Sequence, residues 1–310
     1  MTDANNMQEP GLRGDLEQLV GAAHVRVDEP MSAHTTFAVG GPADLYVEPQ
    51  TTAELIHVIH ACREADAPYF LLGLGSDLLV GDGGFRGVMV ACPEGLSRIE
   101  VSGTRLTCQP GAALADVSRL AAEHGLTGLE FACGIPGSVG GAVFMNAGAY
   151  DGCVADVLAS VTVLGQDGEV FDLPACDLEL GYRTSRVRTQ GLVVLSATFA
   201  LRQGDEPEIL AKMADLTERR ESKQPLELPS AGSTFKRPEG HFAGKLITDA
   251  GLKGYQVGGA AVSTKHAGFV VNLGGATAAD VRAVIAHVQA EVLRQFGVEL
   301  EPEVRFVGEF

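Results

Sequence analysis

The six cysteines (Cys62, Cys92, Cys108, Cys133, Cys153 and Cys176) include no C-x-x-C pair. That excludes the common zinc spacings and the dithiol redox motif. A chain of 310 residues is also too large to need a disulfide framework. Free thiols in a reducing cytoplasm are the plain reading. No G-x-x-x-x-G-K-[ST] occurs, so the P-loop is absent. No apolar run approaches a membrane span, and the polar N-terminus, with Asp3 and Glu9, lacks a signal-like apolar region. Positive charge is scarce: 23 basic residues against 40 acidic ones leave a net charge of −17. This argues against nucleic acid or an anionic membrane as the main partner. A soluble, cytoplasmic protein with no metal site and no obligate protein partner is expected.

What the chain has is glycine in clusters. Gly134 to Tyr150 reads GIPGSVGGAVFMNAGAY, with glycines at 134, 137, 140, 141 and 148. Such a cluster marks backbone in unusual conformations or pressed against something bulky. Pro136 stiffens its entry, and the missing side chains bare successive N–H groups, which form an anion-binding nest suited to a pyrophosphate. The alternative is a tight loop packed under another element, with no ligand. A second loop, Gly73-Leu74-Gly75-Ser76-Asp77, follows the apolar run Tyr69 to Leu72. It lacks the third glycine of G-x-G-x-x-G, and no acidic residue closes a clear second strand, so the usual dinucleotide fold is disfavoured. Two separate phosphate-type loops on another scaffold remain.

Periodicity and punctuation predict a mixed architecture. A short helix is expected near Asp15 to Ala23, and a strand from Asp44 to Glu48 after the Gly40-Gly41-Pro42 turn. A capping box at Thr51 and Glu54 opens a helix with Leu55, Ile56 and Ile59 inward, closed by Pro68. Residues 99–110 read as a hairpin. Ala112 to His124 reads as a helix ended by Gly125. Val157–Leu164 and Glu169–Leu173 flank an Asp167-Gly168 turn, and Leu192 to Leu201 is a further strand. The charged stretch Gln203 to Pro207 suggests a boundary before an amphipathic helix over 208–220. Beyond it come a short helix over 245–252 and an apolar strand over 268–273. A long helix capped by Thr277 carries the stripe Val281, Val284, Ile285, Val288, Val292 and Phe296. A final strand carries Glu303.

The two loops, read with PSAGSTFKRP (229–238) and LEPEVRF (300–306), resemble the UDP-N-acetylenolpyruvoylglucosamine reductase (MurB) family from about His34 to Phe306. Nothing between Ser185 and Arg202 leaves room for the longer form's extra segment, so the chain looks like the short type II form. The resemblance implies an α+β fold, with a two-lobed FAD-binding domain of the vanillyl-alcohol-oxidase (PCMH) type before a smaller substrate-binding domain. The expected divisions are a lead-in over 1–30, FAD-binding subdomains over 31–95 and 96–204, and the substrate domain over 205–310. It implies noncovalent FAD, NADPH as co-substrate and UDP-N-acetylglucosamine enolpyruvate as substrate, with UDP-N-acetylmuramate for peptidoglycan synthesis as product. No side chain donates hydride, which is why such a reduction needs the cofactor. His34 is then a turn-capping or solvent residue, not a flavin attachment point.

By the same resemblance, Gly73, Leu74, Gly75, Ser76, Gly134, Pro136, Gly137, Ser138, Gly140 and Gly141 hold the cofactor. Ser233 is the proton donor to the enol intermediate, which requires tight positioning and nearby positive charge because a serine hydroxyl is a poor acid. Without the family, a turn serine satisfying its own loop is the reading to beat. Arg183 stabilises the developing enolate and carboxylate, for which a guanidinium offers two parallel N–H donors. The family usually has an aromatic where Val187 stands, and Arg186 and Arg188 leave a charged-surface reading open. Glu303 is the catalytic glutamate, with Glu301 its decoy. Tyr150, Arg220, Lys223 and Lys236 are the candidate substrate-binding residues. Asp77 replaces the family's usual asparagine and is doubtful as a direct ligand. The competing readings are a flavin oxidase on this scaffold and a non-catalytic nucleotide-sugar sensor.

Overall fold

Residues 10–310 are described by the structure, a computed structural model, and Asp3 and Glu9 lie outside them. The chain divides into two units that do not follow it linearly. The first comprises the residues up to Arg26, Tyr46–Leu74 and Val88–Arg220, and the second Val27–Leu45, Gly75–Gly87 and Glu221–Phe310.

The first unit opens with helix α1 (Pro10–Val20), earlier than expected, because Gly21 at φ 85° stops it. Helix α2 (Thr52–Glu64) is capped by Thr51, whose side chain accepts the Glu54 N–H. The Glu54 carboxylate accepts the Gln50 N–H at 2.7 Å, so the box closes one residue earlier than expected. The buried stripe is Leu55, Val58, Ile59 and Cys62, and Ile56 turns partly outward. Strand Tyr69–Leu72 pairs in parallel with Phe85–Ala91, with Leu72 opposite Ala91, and delivers the chain to Gly73.

A five-stranded antiparallel sheet dominates this unit, in the order 170–174, 158–164, 193–200, 105–108, 99–102. The hairpin turns at Gly168, φ 86°, as the Asp-Gly pair predicts. Alternate residues Val161, Val163, Ala197 and Phe199 are buried with Leu114, Val117 and Ala121 of helix α3 (Leu114–Glu123). Helix α4 (Val139–Met145), helix α5 (Arg186–Thr189) and helix α6 (Glu206–Lys223), the last as far as Arg220, also belong to this unit. Val187 of α5 is 1% exposed and belongs to the same core, where a small β-branched side chain fills the space.

The second unit carries helix α7 (Ala243–Asp249), helix α8 (Ala278–Phe296) and a three-stranded antiparallel sheet (256–257, 260–262, 270–272). Leu78–Val80 pairs in parallel with Arg305–Val307. Val281, Val284, Ile285, Val288 and Val292 of α8 are buried as predicted, whereas Phe296 is 39% exposed in the last turn. The N-terminus of α8 is heavily satisfied. Thr277 accepts the Asp280 N–H at 3.1 Å, Asp280 accepts the Thr277 N–H at 3.0 Å, and Asp82 accepts the N–H groups of Ala278 and Ala279 at 2.8 and 2.9 Å. Thr277→Ala is expected to cost about 0.5–2 kcal/mol by removing one of these acceptors. Urea unfolding of wild type and variant measures it. A loss below that range would mean that Asp82 and Asp280 suffice.

Candidate active site

The glycine-rich run is not loop throughout. Ser138 caps α4, its Oγ accepting the Gly141 N–H at 3.3 Å, so residues 139–145 coil despite two glycines. Around the cap, the chain is pinned by main-chain bonds from Val139 N–H to Ala112 O (2.8 Å), Gly140 N–H to Pro110 O (2.9 Å) and Leu114 N–H to Gly137 O (2.8 Å). Gly140 is needed there, since a Cβ would sit 3.1 Å from Pro110 Cβ. The N–H groups of Gly134, Gly137 and Ser138 meet no backbone acceptor among the described residues. The nest is thus narrower than the sequence implies, because two of its amides anchor the loop itself.

Gly73 ends the parallel strand against this loop: a Cβ built on it would collide with Ser138 Oγ. Gly73 and Ser138, 65 residues apart in sequence, thus bring the two glycine loops together, with the Ser138 hydroxyl occupying the place of a Gly73 side chain. The Gly73 and Leu74 N–H groups also lack a backbone acceptor among the described residues. Uncommitted amide donors around side-chain-free backbone fit a pyrophosphate, and FAD is a group these residues can hold.

Basic and aromatic residues gather near Gly134. Arg220 lies over it, with Cδ 2.8 Å from the position of a Gly134 Cβ. Burial pulls the Arg220 guanidinium below its ordinary pKa. The groups facing it are Tyr150 and Cys133. A half-buried cation with no carboxylate partner among the described residues suits an anionic ligand. The Tyr150 hydroxyl donates to Leu216 O of α6 at 2.8 Å, and burial raises its pKa. Glu130, 3% exposed, braces the preceding turn. Burial pushes its pKa up, but hydrogen bonds from Thr127 and Gly128 and the charge of Lys212 outweigh that and hold it low.

Arg183 sits at φ +55°, a left-handed conformation unusual for a residue with a side chain. Its Nη2 donates to Gly148 O at 3.1 Å, and its guanidinium lies 5.2 Å from the Tyr182 ring centroid. Arg183 thus reaches the far end of the same glycine-rich segment.

In the second unit, Gly75 at φ +63° has no room for a Cβ beside His34 O, and its own carbonyl accepts the Thr36 N–H at 3.1 Å. His34 Nε2 lies 2.8 Å from Glu29 Oε1. Ser76 and Asp77 are half-buried, and the Asp77 carbonyl accepts the Arg305 N–H at 3.0 Å.

Residues 234–236 and 301–303 form a short antiparallel rung. Lys236 N–H donates to Glu301 O at 2.9 Å and Glu303 N–H to Thr234 O at 2.8 Å. Thr234 is fully buried, its N–H on Gly268 O and its Oγ1 accepting the Val270 N–H at 2.9 Å. Ser233, exposed, projects from a backbone locked one residue later, one step from the rung that carries Glu303. The Glu301 carboxylate pairs with Lys236 Nζ at the surface, whereas Glu303 is half-buried. Lys223, the last residue of α6, is exposed. The sequence does not single out two contacts beside Arg183: Asn146 Nδ2 donates to Gly181 O, and Arg188 Nη1 to Arg183 O. An asparagine just after a helix, tolerant of left-handed backbone, was the available signal.

Burial pushes the Cys62, Cys92 and Cys108 thiols up to about 12, which disfavours the reactive thiolate. No group of three or more His, Cys, Asp or Glu that could hold a metal occurs among the described residues, nor any helix long and apolar enough to cross a membrane.

Comparison with known proteins places these units. Residues 43–174 match the profile "FAD binding domain", and residues 224–307 match "UDP-N-acetylenolpyruvoylglucosamine reductase, C-terminal domain". The chain is 56% identical over 284 residues to a UDP-N-acetylenolpyruvoylglucosamine reductase of Clostridium perfringens (strain SM101), covering 92% of this chain and 93% of that protein. It is 53% identical over 292 residues to the Clostridium beijerinckii enzyme of the same name, covering 94% and 96%. Its fold is similar to the crystal structure of the reductase MurB from Thermus caldophilus, with a TM-score of 0.80, 37% identity, and 91% and 99% coverage.

Proposed function

Because the chain belongs to the UDP-N-acetylenolpyruvoylglucosamine reductase family, we propose that it reduces UDP-N-acetylglucosamine enolpyruvate to UDP-N-acetylmuramate with NADPH as reductant, in the cytoplasmic part of peptidoglycan synthesis. FAD, when bound, supplies the relay that takes hydride from NADPH and passes it to the methylene carbon of the enolpyruvyl group.

The chain's own residues do the rest. The amides of Gly134, Gly137 and Ser138, with those of Gly73 and Leu74, hold the cofactor's pyrophosphate, and Gly75, Ser76, Pro136, Gly140 and Gly141 shape the two loops. Arg220 neutralises a diphosphate at Gly134, with Tyr150 beside it. Lys223 and Lys236 serve the nucleotide-sugar. Arg183 binds the substrate carboxylate through its paired N–H donors and stabilises the negative charge that grows there. Glu303 orients the substrate, and Ser233 protonates the carbon next to the carboxylate.

The observation that carries this reading is the meeting of Gly73 with Ser138, which brings together amide donors from two chain segments that meet no backbone acceptor among the described residues. An anaerobic titration tests it. The purified protein is expected to show a flavin band that bleaches with NADPH and returns only when the enolpyruvyl nucleotide-sugar is added. A protein that shows no flavin band after addition of FAD would defeat the reading. Recovery with air but not with the nucleotide-sugar would make the protein an oxidase.

A further inference from the structure

We infer that Asn146 and Arg188 are positioning residues that hold Arg183 in its left-handed conformation, and so set where its guanidinium meets the substrate carboxylate. The inference rests on the role proposed above for Arg183.

A non-glycine residue at φ +55° costs about 1–2 kcal/mol relative to ordinary backbone. Such a residue persists only where its surroundings over-determine it, and these outliers cluster at functional sites. Here the surroundings are specific. Gly181 and Thr184 exchange main-chain bonds, Gly181 N–H to Thr184 O at 3.0 Å and Thr184 N–H to Gly181 O at 3.4 Å, which closes a tight turn around Tyr182 and Arg183. Two side chains from outside that turn then grip its carbonyls. Asn146 Nδ2 donates to Gly181 O at 2.9 Å, and Arg188 Nη1 donates to Arg183 O at 2.7 Å.

Neither grip is a loose surface contact. Asn146 is 6% exposed, is itself left-handed (φ 44°, ψ 58°), and its Oδ1 accepts the Ala155 N–H at 2.9 Å. Both ends of its amide are thus committed, which fixes its orientation. Arg188 lies on α5, whose cap Ser185 donates from Oγ to Phe144 O at 2.8 Å and is 1% exposed. Arg188 Nη1 also lies 3.8 Å from Met145 Sδ. A charged donor on a neutral carbonyl is among the stronger hydrogen bonds.

The chain path gives the arrangement its meaning. Helix α4 begins at Ser138, in the loop assigned to the cofactor, and ends at Asn146, which holds the turn of Arg183. Arg183 in turn donates to Gly148 O, two residues beyond Asn146. One seven-residue helix therefore ties the cofactor loop to the arginine that must face the substrate. A shift of about 1 Å in such a group can lower a rate about 100-fold. This also separates Arg188 from a charged-surface arginine: it is half-buried, with Nη1 on Arg183 O and beside Met145 Sδ.

The FAD-loaded protein tests the inference. Asn146→Ala and Arg188→Gln are each expected to slow reoxidation of the NADPH-reduced flavin by the enolpyruvyl nucleotide-sugar about 10–100-fold. Flavin bleaching by NADPH should stay at the wild-type rate, and Arg188→Lys, which keeps a charged donor, should recover most of the loss. Calorimetric affinity for UDP-N-acetylmuramate, read on the oxidised protein, should fall in parallel. In an Arg183→Gln background, Arg188→Gln should add little, because nothing remains to be positioned. A merely structural role would instead slow bleaching as well, or act equally in both backgrounds, and either result overturns the inference. If Arg183→Gln alone is fully active, the assigned role of Arg183 fails and the inference with it. If Arg183→Gln is impaired while both positioning variants react like wild type, only the inference falls. Should Asn146→Ala not fold, the Arg188 pair of variants decides.

Discussion

Ser233→Ala is expected to lower turnover with the enolpyruvyl nucleotide-sugar about 10²–10⁴-fold while leaving the flavin band and its bleaching by NADPH intact. The range is what a positioned proton donor typically contributes. The selectivity comes from geometry. Ser233 is exposed, so its hydroxyl holds up nothing in the fold, and its loss should change stability by no more than about 0.5 kcal/mol. Its neighbour is the opposite case. Thr234 is fully buried and bonds main chain on two sides, through its N–H to Gly268 O and its Oγ1 to the Val270 N–H. The backbone that carries Ser233 is therefore rigid although the side chain is free to act. Stopped-flow reoxidation of the reduced flavin measures the effect. A wild-type rate in the variant would remove Ser233 from the chemistry, and slowed bleaching would point to cofactor binding instead.

Gly75→Ala is expected to be the most damaging single methyl group in the glycine loops, costing about 3 kcal/mol or more and stripping the protein of flavin. Two effects add. The residue sits at φ +63°, where an L side chain is strained. The new Cβ would also collide with the His34 carbonyl oxygen and lie 3.0 Å from Thr35 Cα, and backbone cannot swing aside as a flexible side chain does. Moving it would break the bond from Thr36 N–H to Gly75 O. Gly103→Ala is the control: φ +59° with nothing within 4 Å of its Cβ, so it carries the conformational cost alone, about 1 kcal/mol. Parallel denaturant unfolding separates the two effects. Equal losses in the two variants would show that the loop relaxes away from His34 without cost.

Both expectations begin in stretches that are legible in the chain, and the limits of that legibility are physical. Local rules governed by neighbours in sequence read well. The Asp-Gly turn, the Thr277 cap, the glycine stop at Gly125 and the buried valines and isoleucine of α8 appear as predicted. Where a nearby alternative competes, the reading slips by a residue or a turn: Glu54 closes on Gln50 and Phe296 escapes the core. The segment 139–145 reads as loop because glycine disfavours helix, yet one serine cap and the bonds to residues 110–112 outweigh two glycines.

Two glycine loops without a Rossmann fingerprint are legible in the chain, and its resemblance to the family names a serine, an arginine and a glutamate as candidates for chemistry. How they are held depends on contacts across the fold. The fold joined Gly73 to Ser138, interleaved segments of three chain regions into each unit, and paired Lys236 with Glu301. It also put Arg183 in left-handed backbone, with Asn146 bonded to Gly181 O and Arg188 to Arg183 O. These are contacts between residues distant in sequence or in unusual backbone states, set by closure of the whole fold, and no short-range pattern encodes them.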